Sequence, residues 1–125
     1  MEAKIMIVSL LLLLCLCHIG NGEECTLSDL AVIQTAEHGG DHPQYAVAVE
    51  NRCICTQAQV KLSCPGFSSS MGVDPGVLRP DGDGKLCTLN DGRPIAMGPG
   101  YAIKFSYTSS SEIGFKPASS TVACS

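Results

Sequence analysis

A chain of 125 residues and 13.1 kDa has material for one domain, and 5% aromatic content with no Trp limits the core that domain can build. Eight basic side chains against 12 acidic ones, with a pI near 5.2, exclude the cationic surface that nucleic-acid binding needs. The length excludes a multidomain enzyme, and 45% hydrophobic residues exclude a disordered chain.

Met1-Glu2-Ala3-Lys4 places one cation ahead of an apolar run from Ile5 to Cys17 centred on Leu11–Leu14. A run of about 13 residues fits a signal-peptide core and falls short of the roughly 20 that span a membrane. Gly20 and Gly22 put small residues at the −3 and −1 positions of a cut after Gly22. The expectation is a signal peptide over residues 1–22 and a secreted cysteine-rich β domain over residues 23–125. No second apolar stretch follows, so no membrane insertion is expected after cleavage.

Leu30 to Thr35 reads as a first strand. Gly39-Gly40-Asp41-His42-Pro43 follows as a turn. His38 and His42 would align as metal ligands on a helix, but two glycines and a proline deny them one, so they read as solvated turn residues. Alternation then marks a strand in which Tyr45, Val47 and Val49 oppose Ala46, Ala48 and Glu50. Asn51-Arg52-Cys53 is the uncommon cysteine form of a glycosylation acceptor, and glycosylation is not expected there.

A second alternating strand sets Val60, Leu62 and Cys64 against Gln59, Lys61 and Ser63. Phe67 to Lys85 is rich in Ser, Gly and Pro and reads as a long surface loop with one short strand at Val77-Leu78. Within it, Asp81-x-Asp83-Gly84 has part of a calcium loop, but Lys85 sits where a ligand belongs and Gly92 where the bidentate carboxylate belongs. Asn90-Asp91-Gly92 is a further turn, and Gly98-Pro99-Gly100 precedes a third alternating strand of Ile103, Phe105 and Tyr107. Thr121 to Cys124 closes the chain as a last strand. No helical periodicity survives beyond the leader. The fold class is all-β, a small disulfide-stapled antiparallel β-sandwich.

In an oxidising compartment Cys25, Cys53, Cys55, Cys64, Cys87 and Cys124 read as three disulfides. Spacing does not choose the pairing, except that Cys53 and Cys55 share one face of an extended strand and each reaches a different segment. With the cysteines bonded, no Ser or Cys has a base and an orienting third group within view, so no catalytic residue, metal or cofactor is expected. A small rigid loop-bearing β domain suits a ligand or an inhibitor.

Several pieces together carry a resemblance. They are Cys25 with Ser28-Asp29, the Tyr45–Val49 strand leading to Asn51-x-Cys53, Cys55, Cys64, and Phe67-Ser68-Ser69. Val73-Asp74-Pro75, Cys87-x-x-Asn90-Asp91-Gly92-Arg93-Pro94, Phe105-Ser106-Tyr107 and Cys124 complete the set. In order and spacing they resemble the plant tapetum-determinant family of small secreted proteins. The resemblance implies an apoplastic signalling ligand, perceived by a leucine-rich-repeat receptor kinase ectodomain, that directs cell specification in anther development. It also implies structural roles for the six cysteines. Phe67, Asn90, Asp91 and Arg93 are the candidate receptor contacts, Arg93 foremost because Arg is enriched at interface hot spots. This chain departs from the family in having only Ile54 between its second and third cysteines, and Pro65-Gly66 where an aromatic precedes the phenylalanine. The competing expectation is a cell-wall-binding module or an inhibitor of an extracellular enzyme.

Overall fold

A computed structural model describes residues 25–37 and 41–124. The leader, His38 and the two glycines after it therefore lie outside the described residues. Among the described residues seven strands are present: β1 (Leu30–Glu37), β2 (Gln44–Asn51), β3 (Thr56–Ser63), β4 (Leu78–Pro80), β5 (Leu86–Leu89), β6 (Ile103–Thr108) and β7 (Lys116–Ala123). They form two antiparallel sheets, one ordered β1-β2-β6 and the other β4-β5-β3-β7. The described residues hold short 3-10 turns and no α-helix. The architecture is the all-β, disulfide-stapled sandwich that the alternation predicts.

The period-two pattern sets which face is buried. Val47 and Val49 of β2 and Phe105 and Tyr107 of β6 point inward from one sheet. Val60 and Leu62 of β3, Leu78 of β4 and Leu89 of β5 meet them from the other. Each such side chain taken fully out of water is worth about 1.5–3 kcal/mol. Phe115 lies at the centre of the aromatic residues, with Phe105 at 5.6 Å, Tyr107 at 5.5 Å and Phe67 at 6.1 Å, all edge-on, while Tyr45 stacks on Tyr107 at 5.2 Å. Five of the six aromatic rings thus share one cluster; the sixth, Tyr101, is 65% exposed.

Tyr107 is completely buried yet has a polar tip. Its hydroxyl donates to Gln34 Oε1 and accepts from the Ile113 amide at 2.8 Å, and Gln34 Nε2 donates to the Ile113 carbonyl at 2.9 Å. This closed ring of bonds ties β1, β6 and the segment entering β7. It satisfies the phenol as the core requires.

Three elements differ from the expectation. The last strand begins at Lys116, five residues before Thr121, because β7 is a sheet edge where Pro117 and a run of serines are tolerated. β5 is absent from the alternation reading: Cys87, Thr88 and Leu89 are all buried between β4 and β3, leaving no polar face to show a period. The segment from Phe67 to Lys85 is not all surface, since Phe67, Met71, Val73 and Val77 pack against the core from outside the sheets, and its short strand is Leu78–Pro80.

Candidate functional site

Among the described residues three disulfides are formed: Cys25–Cys53, Cys55–Cys124 and Cys64–Cys87. Cys64–Cys87 joins β5 to the end of β3 inside the core. The other two sit together at the opposite end of the sandwich, where β2 ends and β3 begins. Each bridge in a small secreted domain is worth about 2–4 kcal/mol.

The predicted contact residues do not form one surface. Phe67 follows β3 beside Cys64, its amide bonded to the Cys64 carbonyl at 3.1 Å, and its half-buried ring packs on Phe115. Asn90, Asp91 and Arg93 follow the far end of β5. Phe67 thus spends part of its ring on core packing and keeps part at the surface. The turn itself is unusual: Asn90, Asp91 and Gly92 have successive φ values of 55°, 55° and 76°. A β-carbon on Gly92 would lie 3.0 Å from Gln59 Oε1, and Gln59 is itself a left-handed residue in the β3 bulge. Two irregularities are thus fitted to each other, and the positive φ and the close approach both favour glycine at the third position.

The charged members of the turn are occupied. Asp91 pairs with Arg79, whose hydrogen bond and charge hold the Asp91 carboxyl below the usual carboxylate range. Arg93 folds back on its own turn, Nε donating to the Asn90 carbonyl at 3.2 Å and an outer nitrogen to Asn90 Oδ1 at 3.4 Å. It is exposed, but its guanidinium serves the turn rather than reaching outward.

What organises the two-disulfide end is Asn51, fully buried along with Gln57. Asn51 Nδ2 donates to the Cys55 carbonyl at 2.8 Å and the Ile95 carbonyl at 2.9 Å, and Oδ1 accepts from the Cys53 amide at 3.0 Å and Gln57 Nε2 at 3.2 Å. Ser120 Oγ on β7 donates to Gln57 Oε1 at 2.7 Å. Ile95 pairs with Gln57 and Met97 with Asn51, so the strand-like stretch before β6 crosses from one sheet to the other over this hub. Among the described residues no buried side-chain nitrogen or oxygen lacks a partner. Burial of Asn51 also leaves the Asn51-Arg52-Cys53 triplet with no accessible amide for a glycan.

Several large apolar side chains are exposed on the loops around this hub. Ile54 is 76% exposed, Tyr101 65% and Met97 50%, with Leu27 partly exposed on the turn that precedes β1. Register places all four at one end: Leu27 lies three residues before Leu30, which pairs with Asn51, and Tyr101 lies two before Ile103, which pairs with Val49. Four of the five large exposed hydrophobics of the described chain are therefore grouped on loops that two disulfides and an amide hub make rigid. Sequence reading missed them because each stands alone among turn formers, as in Cys53-Ile54-Cys55 and Gly98-Pro99-Gly100-Tyr101. The signal was available in Ile54, a bulky apolar side chain fixed between two cysteines.

Other clusters have structural explanations. The Asp83 carboxylate accepts from the Lys85 and Leu86 amides at 2.8 and 2.9 Å, closing the turn into β5. Asp81 pairs with Lys61 and accepts from Thr88 Oγ1 at 2.6 Å. Desolvation pushes the Asp81 carboxyl up, and the bonds from Lys61 and Thr88 with the Lys61 charge outweigh it, holding the group below its usual value. Neither carboxylate is oriented toward a shared cation. His42 is exposed. The outer face of the β1-β2-β6 sheet has a shallow hollow of about 390 Å³, because Ala46 and Ala48 lie low between Ile33 and Lys104. Lys104 is the one titratable side chain lining it.

Fold and site together define a small, cross-linked, all-β protein that presents rigid loops at one end and no assembled acid–base or nucleophile constellation among its described residues. The chain belongs to the tapetum determinant 1 family: the model of that family's C-terminal region matches residues 26–125. It is 34% identical over 93 residues to TPD1 protein homolog 1 of Arabidopsis thaliana, a match covering 71% of this chain and 50% of that protein. With TPD1 protein homolog 1A of Oryza sativa subsp. japonica it shares 41% identity over 76 residues, 54% of this chain and 32% of the relative. The matched region thus spans half or less of those two proteins. An uncharacterized Arabidopsis thaliana protein is 33% identical over 117 residues, with 90% of each chain covered. No solved structure matches.

Proposed function

We propose that this protein is a secreted signalling ligand of plant reproductive development, recognised by a leucine-rich-repeat receptor kinase ectodomain through its Asn51 end. Family membership supports the signalling role, since two of the relatives carry the tapetum-determinant name. The observation that carries the surface is the grouping of Ile54, Met97 and Tyr101 on loops whose backbone is fixed before any partner arrives. Rigid aromatic and apolar side chains at a preorganised site lose little entropy on binding and are the residues hot spots favour. A solenoid receptor offers a concave face to such a compact end. The apoplast is the compartment in which three disulfides persist.

The experiment is a binding survey of the disulfide-intact protein, secreted from a eukaryotic host, against a set of plant receptor ectodomains at physiological ionic strength. A saturable partner whose binding is abolished by reduction supports the proposal. Absence of any binder across reproductive-tissue receptors, with retention on wall polysaccharide or inhibition of an apoplastic hydrolase, overturns it.

A further inference from the structure

The two disulfides at the Asn51 end are close enough to exchange. The sulfur atoms of Cys25, Cys53 and Cys55 lie within 4.8 Å of one another, although they belong to two different bridges. The Cys25 sulfur is also 3.8 Å from the carbonyl oxygen of Cys55, on the same side of the hub. Exposure across the four residues is graded: Cys124, next to the C-terminal residue, is exposed, Cys53 is half-buried, and Cys25 and Cys55 are buried. Cys64–Cys87 is different, with both partners deep in the core.

We propose that Cys25–Cys53 and Cys55–Cys124 form one thiol-sensitive exchange unit, entered at Cys124 and emptied at Cys53. A small thiol such as glutathione, as its thiolate, attacks the exposed Cys124 sulfur. A mixed disulfide forms there and Cys55 departs with the electron pair of the broken bond. The Cys55 thiolate then attacks the Cys25 sulfur, forming Cys25–Cys55 and expelling Cys53 as the new thiolate. One external thiol is consumed, one protein thiol appears, and the number of disulfide bonds is unchanged.

Two features set the direction. Attack on Cys53 instead would bond residues separated only by Ile54, a ring too small for ordinary disulfide geometry. A thiolate in an apolar buried position is disfavoured, so charge that starts on Cys55 moves toward half-exposed Cys53. The consequence is local. β7 loses its covalent tie at Cys124 while Cys25 stays fixed to the hub, which makes the C-terminal strand the part of the fold that responds to extracellular thiols. This holds whatever the protein binds.

The test is a linkage map of the intact secreted chain. The protein is incubated with substoichiometric glutathione at mildly alkaline pH, quenched, alkylated and digested, and fragmentation spectra distinguish Cys53 from Cys55 within their common peptide. The expected result is glutathione on Cys124, alkyl label on Cys53 and a Cys25–Cys55 cross-link, with Cys64–Cys87 intact. Label on Cys55 with Cys25 still bonded to Cys53 overturns the exchange step. Resistance of Cys124 to glutathione, or first opening of Cys64–Cys87, overturns the entry point.

Discussion

The Asn51→Ala substitution removes an amide that makes four hydrogen bonds at distances of 2.8–3.2 Å in a fully buried position. A buried hydrogen bond contributes about 0.5–1.5 kcal/mol net, so four of them amount to about 2–6 kcal/mol. That is a large share of the roughly 5–15 kcal/mol that holds a small domain folded. The Ile95 carbonyl retains the Gln57 amide at 3.2 Å, and Gln57 Nε2 retains the Thr26 carbonyl at 3.5 Å, which places the expected loss toward the middle of the range. Urea unfolding with the disulfides intact reads it: at a slope of roughly 2 kcal/mol per molar urea, the midpoint falls by about 1–3 M. A change within about 0.5 kcal/mol, the range of a surface substitution, would refute the assignment of Asn51 as the hub.

Four further outcomes rest on particular residues. Tyr107→Phe keeps the ring cluster but strips the bonds to Gln34 and Ile113; a loss of about 1–3 kcal/mol is expected in the same assay, and a neutral result would show the hydroxyl contacts to be incidental. Gly92→Ala forces a side chain into a φ of 76° against Gln59 and should cost about 1–2 kcal/mol from the left-handed backbone alone. Thermal unfolding of Gly92→Ala with and without Gln59→Ala separates that backbone cost from the contact. For pH, desolvation raises the Tyr107 phenol above its ordinary value, more than the Ile113 bond and neighbouring charges alter it, so its stabilising effect is present below about pH 10 and lost as pH climbs through the folded value. Ultraviolet titration should show a phenol ionisation above the ordinary tyrosine value that is missing from Tyr107→Phe, and an identical titration of the two folded proteins would contradict this. At the acid end Asp91, held low by Arg79, and Asp83, held low by the Leu86 and Lys85 amides, contribute stability above about pH 4 that disappears as pH falls through their folded values.

β2, β3 and β6 are legible in the sequence because each has one wet face and one dry face, which writes the period directly into residue type. β7 is legible only at its end, Thr121 onward, since the serine-rich stretch with Pro117 that begins this edge strand has neither the composition nor the alternation of a strand. β5 fails for the opposite reason, with Cys87, Thr88 and Leu89 buried in succession. The cysteine pairing depends on how the sheets stack, and spacing alone fixes only that Cys53 and Cys55 part company. At the candidate site the turn at Asn90–Gly92 is legible as a turn, but its left-handed run and its fit to Gln59 are tertiary facts. Asn51 reads as polar and therefore as surface. Its burial becomes visible only when the crossover through Ile95 and Met97 is in place to accept and cover its amide. Phe67 stands beside turn residues in the sequence, and its half-buried packing on Phe115 is likewise a tertiary fact.

The proposed ligand role rests on a receptor recognising the Asn51 end of a rigid disulfide-bonded domain. The direct measurement is the dissociation constant for a receptor-kinase ectodomain, compared between the native chain and Tyr101→Ala, a substitution of a side chain that is 65% exposed and outside the aromatic core. Saturable binding at micromolar concentration or tighter is expected, weakened about tenfold or more in the variant, a loss of about 1.4 kcal/mol or more that most interface residues do not reach. Equal affinity of the two proteins would contradict the assignment of the surface. The lack of saturable binding to any ectodomain would contradict the ligand role itself.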